Sequence, residues 1–218
     1  MLTLYAHPFS SYSWKALIAF YENATPFTYK IIGPDDPDAV ADWSRRWPIR
    51  KFPVLLDGDE TIVEASIIIE HLDLHHAGPA RLVPADPAEA LKARELDRIF
   101  DNYIMTPMQK IVADKLRPEA DRDPYGVAEA RRTLDTAYAW LDGELSGRTW
   151  AAGDQFTLAD CAGGPSLFYA DWAHPIPAVH ATLKAYRQRV LARPSVVRAV
   201  DEARPYRHYF PLGAPDRD

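Results

Sequence analysis

The sequence predicts an α/β unit built on a mixed four-stranded sheet, followed by an all-α helical unit. Three observations carry this expectation. Strand and helix periodicities alternate up to residue 76, a Pro-rich segment reading GPARLVPADP follows, and beyond it apolar residues recur only at helical spacing. The expected division is therefore residues 1–76, a linker at 77–87, and residues 88–218.

Each element has its own local reason. Leu2 to Tyr5 reads as a first strand, and Trp14, Leu17, Ile18 and Tyr21 then recur at the i, i+3, i+4, i+7 spacing of a helix that Asn23 and Pro26 close. Phe27 to Ile32 is branched and alternating, as in a second strand, and the span from Asp35 to Arg50 predicts a short helix inside an irregular segment. Val54 to Leu56 and Thr61 to Val63 form a hairpin turning at Asp57 and Gly58, and a helix starts near Ala65 and Ser66. Strand, helix, strand at this length implies a parallel pair. The appended hairpin completes a mixed sheet.

In the second half, Leu96, Ile99, Phe100 and Tyr103 form one helical stripe, and Val127, Ala130, Leu134, Ala137, Tyr138 and Leu141 form another. Pro107 should break or kink the first helix, leaving Met108, Ile111, Val112 and Leu116 on a following segment. In GDQFTLAD, Thr157 and Asp160 have the spacing of a capping box, with Phe156 at the staple position.

Composition narrows the function. A formal charge of −6 argues against a nucleic-acid partner, and no apolar run approaches the roughly 18 residues of a membrane span. The first residues lack a basic segment leading into an apolar run, so a cytoplasmic location is expected. The one cysteine, Cys161, permits neither an internal disulfide nor a CxxC pair. Dithiol exchange is thereby excluded.

The most informative stretch is KFPVLLDGDETIVEASIIIEHL at 51–72. Pro53 opens a strand without an N–H of its own, and the helix after the hairpin offers unpaired N–H groups and a positive dipole end to a small anion. This pattern resembles the glutathione-binding, thioredoxin-like domain of the cytosolic glutathione transferases. The capping box and the segment YRQRVLARPSVVRAV are similar to features of that family's helical domain, so the likeness spans about 200 residues. It implies a cis Pro53, pairing of the Phe52 backbone with the peptide of glutathione, and Glu64 at the γ-glutamyl end. Ala65 stands where the family has serine, and Ser66 follows one place later as the residue that could recover that contact.

Lys51, with Arg45, Arg46 and Arg50, is the densest cationic cluster and a candidate clamp for the glycine carboxylate. The family's Lys or His some fourteen or fifteen residues before the proline is unmatched, since Asp38 and Ala39 fall there.

The chemistry the resemblance implies needs a thiolate. A thiol of pKa about 8.5 is only slightly ionised at neutral pH, and lowering it by about two units takes about 2.7 kcal/mol of differential stabilisation. A hydroxyl donating to the charge supplies about 1.5–3 kcal/mol, and a helix N-terminus about 0.3–1. One well-placed hydroxyl suffices in scale. Ser10, Ser11, Tyr12, Tyr5 and Ser13 all lie near the start of the first helix. Ser10 ranks first, then Ser11, then Tyr12 or Tyr5, because SSYSW resembles the zeta-class SSxSW segment of the serine-type transferases; the alternative for Ser10 and Ser11 is simple helix capping.

Tyr103, Met105, Met108, Phe168, Tyr169 and Trp172 are candidates to line an apolar electrophile pocket, with the aromatic tail RPYRHYFPLGAPDRD a candidate cover. His71, His75 and His76 share helical spacing, but histidines at a surface helix end also suit the dipole, and no metal is expected. The reading is a glutathione S-transferase acting as a homodimer on a small apolar electrophile. A glutathione-dependent isomerase resembling maleylacetoacetate isomerase and a non-catalytic binding module are the alternatives.

Overall fold

A computed structural model describes residues 1–218. The first half runs β1 (Leu2–Ala6), α1 (Ser11–Glu22), β2 (Thr28–Ile31), α2 (Pro37–Arg46), β3 (Val54–Asp57), β4 (Glu60–Val63) and α3 (Ala65–His75). The sheet order is β2-β1-β3-β4, with β1 parallel to β2 and antiparallel to β3, and β4 antiparallel to β3. This is the mixed four-stranded, thioredoxin-like arrangement that the sequence predicts.

The hairpin register pairs Asp57 with Glu60, so the turn residues are Gly58 and Asp59, one place later than expected. Gly58 has φ +59°, which only glycine adopts at little steric cost.

No helix or strand occurs between residue 77 and residue 86. The helices that follow are α4 (Pro87–Ile99), α5 (Thr106–Lys115), α6 (Pro124–Glu144), α7 (Leu158–Ala173), α8 (Ala181–Leu191) and α9 (Pro194–Ala203), with a 3₁₀ segment at Arg204–Tyr209. No helix is long and apolar enough to cross a membrane.

The break or kink expected at Pro107 takes the form of a widened turn, with α5 as the following segment. Phe100–Met105 is a π-helical segment joining α4 to α5, and the Thr106 hydroxyl donates to the Asp101 carbonyl at 2.9 Å. A proline cannot donate to the carbonyl four residues back and its ring crowds that group; a wider turn accommodates both constraints. The widened turn carries Asp101 and Asn102, which matter below.

Helix α7 is buried along its whole length, which accounts for its lack of a polar face. The capping box at its start is complete. The Asp160 carboxylate accepts from the Thr157 amide at 2.9 Å, the Ala151 amide at 2.8 Å and the Tyr186 hydroxyl at 2.8 Å. At Gly163 a Cβ would lie 2.5 Å from the Tyr186 oxygen, so only glycine lets α8 approach this closely.

One apolar core of 49 residues joins α1 and the sheet to α7 and the other long helices. A smaller cluster on the opposite sheet face packs Trp43 and Ala39 of α2 against Tyr5, Val54 and Leu56. Across the junction, Lys15 of α1 meets Asp97 of α4 at 2.5 Å and Asp101 at 2.7 Å. These three residues are buried.

Candidate functional site

Three chain segments meet at one end of the sheet: the N-terminus of α1, the loop ending at Pro53, and the N-terminus of α3. The Phe52–Pro53 peptide bond is cis. With the π-helical turn and α5 opposite, these segments enclose a polar cavity of about 460 Å³ lined by Ser10, Tyr12, Arg50, Lys51, Phe52, Pro53, Glu64, Ala65, Arg98, Asp101, Asn102 and Gln109, among others. That volume falls in the range of small-molecule sites.

The lining has the chemistry of a zwitterion receptor. Neither the N–H nor the C=O of Phe52 has a partner within the chain, leaving both for a peptide-like ligand. Glu64 precedes the first turn of α3 and caps nothing with its side chain. Its φ of +70° and that of Arg50, +57°, are two of only three positive values among non-glycine residues. Such backbone costs about 1–3 kcal/mol per residue and concentrates at functional sites.

Arg50 and Lys51 line the cavity without an ion-pair partner, whereas Arg45 and Arg46 are held by Asp42. The cationic cluster thus divides into two free charges and two committed ones. Asp101 has one carboxylate oxygen without a hydrogen-bond partner, and burial raises its pKa against the pull of Lys15. Sequence reasoning missed Arg98, Asp101, Asn102 and Gln109, because nothing local to them signals that they face the start of α1.

A second cavity, about 520 Å³ and mostly apolar, adjoins the first and shares Ser10, Phe52 and Gln109 with it. His7, Phe9, Ser11, Met108, Val112, Leu116, Tyr169, Tyr209, Phe210 and Pro211 complete the lining. The tail therefore does cover this pocket. Tyr206 packs edge-on against His7 at 4.8 Å, and Phe210 packs against Trp172 at 5.3 Å.

The hydroxyl candidates separate clearly. Ser10 lines both cavities, and its oxygen accepts the Ser13 amide at 3.2 Å as the cap of α1. Capping uses a lone pair and leaves the O–H free to donate outward, so capping and activation are compatible. Ser11 lines the apolar cavity alone. Tyr12 lines the polar one, with burial first among the causes that push its phenol up to about 12. Tyr5 has its proton committed to Asp42 at 2.5 Å, and the fully buried Ser13 accepts the His7 amide at 3.2 Å. Neither of these two reaches the cavities.

Several expected positions lie off the two cavities. The Ser66 hydroxyl turns away from the cavity, accepting from Lys15 and donating to Asp97, each at 2.8 Å. Among the electrophile-pocket candidates, Met108 and Tyr169 line the apolar cavity. Met105 and Phe168 are core residues at 1% exposure, and Trp172 lies beneath Phe210 and Arg207. Tyr103 faces a separate cavity of about 540 Å³ with Ile99 and Trp140, on the outer side of α4 and α6. Helical periodicity identified that stripe as apolar, yet gave no means of telling core from lining.

His7 was not singled out by sequence. The Phe9 amide donates to its Nδ1 at 3.1 Å, which fixes the neutral tautomer with the proton on Nε2, and burial lowers its pKa. Cys161 is wholly buried and its thiol is pushed far up, so it takes no part.

Both halves of the chain are similar to known proteins. The family described as glutathione S-transferase, N-terminal domain, matches residues 4–80, and glutathione S-transferase, C-terminal domain, matches residues 101–194. A glutathione S-transferase of Pseudomonas putida is 30% identical over 161 residues, 73% of this chain and 70% of its own length. A stringent starvation protein A homolog of Coxiella burnetii is 27% identical, covering 93% of each chain. The crystal structure of a Methylobacterium radiotolerans glutathione S-transferase in complex with glutathione sulfonate superposes with a TM-score of 0.78 at 32% identity, over 91% of this chain and 94% of that one.

Proposed function

The chain belongs to the glutathione S-transferase family, and from that premise we propose that it is a serine-type transferase in which Ser10 activates the glutathione thiol. It is an enzyme that uses glutathione as co-substrate and transfers its thiolate to a small electrophile. The observation that carries the assignment is the position of Ser10 where the polar and apolar cavities meet.

In this reading residues 1–76 bind glutathione, residues 77–87 link, and residues 88–218 select the electrophile. The Phe52 backbone pairs with the peptide, Pro53 holds that backbone in place, and Arg50 and Lys51 take the glycine carboxylate. Glu64, with Asp101 opposite, takes the α-ammonium. The first-turn N–H groups of α3, beginning at Ala65, take the γ-glutamyl carboxylate. Ser10 donates its O–H to the thiol sulfur as the proton leaves, and α1 contributes its dipole. The electrophile occupies the apolar cavity against Phe9, Met108, Tyr169 and Phe210, where exclusion of water favours the uncharged partner.

The SSYSW segment keeps the zeta-class likeness in view, and a glutathione-dependent isomerase would use the same thiolate. We also propose a homodimer, supported by the cavity around Tyr103 and Trp140 and by the exposed Ile67 and Leu74 on α3. Trp140→Glu should then yield a monomer by light scattering.

The test is direct. Glutathione should raise the melting temperature by mass action, and the protein should conjugate glutathione to a generic aryl halide. Ser10→Ala should lower kcat/KM while leaving glutathione affinity nearly intact, and equal activity in that variant would overturn the assignment.

A further inference from the structure

The far end of α3, remote from the glutathione site, holds a group of side chains that the transferase reading does not use. Asp57 closes β3 at the hairpin, and His71 and His76 lie on the last turns of α3 and its cap. His71 Nε2 lies 3.0 Å from Asp57 Oδ2, and His76 Nε2 lies 2.5 Å from the same oxygen. The three potential donor atoms are all within 4.8 Å of one another. From this geometry we propose that Asp57, His71 and His76 form a binding site for a divalent transition cation, of which Zn²⁺ is the representative.

The donor set is chemically apt. Two imidazole nitrogens with one carboxylate oxygen suit Zn²⁺, Ni²⁺ or Cu²⁺ and are poorly matched to Mg²⁺ or Ca²⁺, which prefer oxygen. Zn–N and Zn–O bonds of about 2.0–2.2 Å place tetrahedral donors about 3.3 Å apart. The present separations from the carboxylate oxygen, 3.0 Å for His71 and 2.5 Å for His76, are shorter than that, so both rings would move outward from Asp57 on binding.

Charge favours the same occupant. Asp57 brings an anionic oxygen to the two rings, and its Oδ2 is the atom both of them face. The C-terminal carbonyls of α3 add a negative dipole end at the cation's position. The His71 side chain is only 9% exposed and therefore pre-oriented, while that of His76, at 31%, leaves an open side for water or exchange. Sequence spacing could suggest the histidine pair, but only the fold brings the hairpin carboxylate to it.

Bound metal would fasten the β3–β4 hairpin to the end of α3, stabilising the folded state by mass action.

The experiment is competition for Zn²⁺ between the full-length protein and a chromogenic chelator, with Co²⁺ substitution to read coordination from its visible absorption. The expected result is one Zn²⁺ per chain, at least about tenfold weaker in His71→Ala and Asp57→Asn, together with a metal-dependent rise in melting temperature. His76→Ala, which removes the more exposed of the two rings, should show the same loss and guards against misfolding of the other two. Absence of stoichiometric Zn²⁺ binding by the parent, or binding that survives His76→Ala and Asp57→Asn together, would overturn the proposal. Activity with glutathione and an aryl halide should persist in His76→Ala with the metal chelated, keeping this site separate from the transferase site.

Discussion

Lys15 and Asp97 form an ion pair at 2.5 Å between α1 and α4, with neither side chain more than 2% exposed. Asp101 and the Ser66 hydroxyl complete the cluster, and Arg98 caps it from the cavity side. Both halves of the molecule therefore contribute to one desolvated charge group directly behind the polar cavity. Removing Lys15 would leave two buried carboxylates with only the half-exposed Arg98 as counter-charge. Lys15→Met is expected to destabilise the fold by about 3–5 kcal/mol, read from the midpoint of urea unfolding, and neutralising Asp97 in the same chain should recover part of it.

Ser10 supplies a hydrogen bond to a developing charge, worth about 1.5–3 kcal/mol. Ser10→Ala should therefore lower kcat/KM by about 10- to 150-fold and raise the apparent thiol pKa by about one to two units in a pH–rate profile. The lost helix cap adds about 1 kcal/mol of instability, separable by thermal unfolding. Ser11→Ala, on the apolar side alone, should change the profile far less.

His7 offers a pH-dependent test of stability. Burial lowers its pKa from the ordinary 6.5, so the unfolded chain binds this proton more readily than the folded one. Its contribution to stability is then fully present above about pH 6.5 and is lost as pH falls through 6.5 towards the lowered value. Between about pH 7 and pH 5 the melting temperature of the parent should drop by more than that of His7→Phe. Equal drops would mean that His7 titrates as it does in the unfolded chain.

Asp160 concentrates the polar anchoring of α7. Burial pushes its carboxyl up to about 6 although the Ala151, Thr157 and Tyr186 donors oppose that shift. Asp160→Ala would strand those donors in the core and break the capping box, at a cost of at least about 3 kcal/mol. Asp160→Asn, which keeps one acceptor oxygen, should lose less; the two are compared by calorimetry at neutral pH.

What the sequence determined by itself was local. The alternating elements, the hairpin, the helix at Ala65, the capping box at Thr157 and Asp160, and the Phe52–Pro53 signature were all legible because each is specified by residues within a few positions of one another. The grouping of Phe52, Pro53 and Glu64 at the polar cavity has the same origin, since they lie on one continuous stretch.

What only the tertiary structure decided was direction and company. Ser66 and Ala65 are adjacent on α3, yet a rotation of about 100° per residue sends the Ser66 hydroxyl to Lys15 and leaves Ala65 on the cavity. Met105 and Met108 read identically as apolar helix residues and both are largely buried, but only Met108 lies on the apolar cavity. Tyr5 and Ser10 both offered a hydroxyl near α1, and only packing showed that Asp42 already holds the Tyr5 proton. Asp101, His7 and Phe210 come from segments far apart in the chain. Periodicity states which face of an element is apolar; what that face meets depends on long-range packing, which carries no local signal.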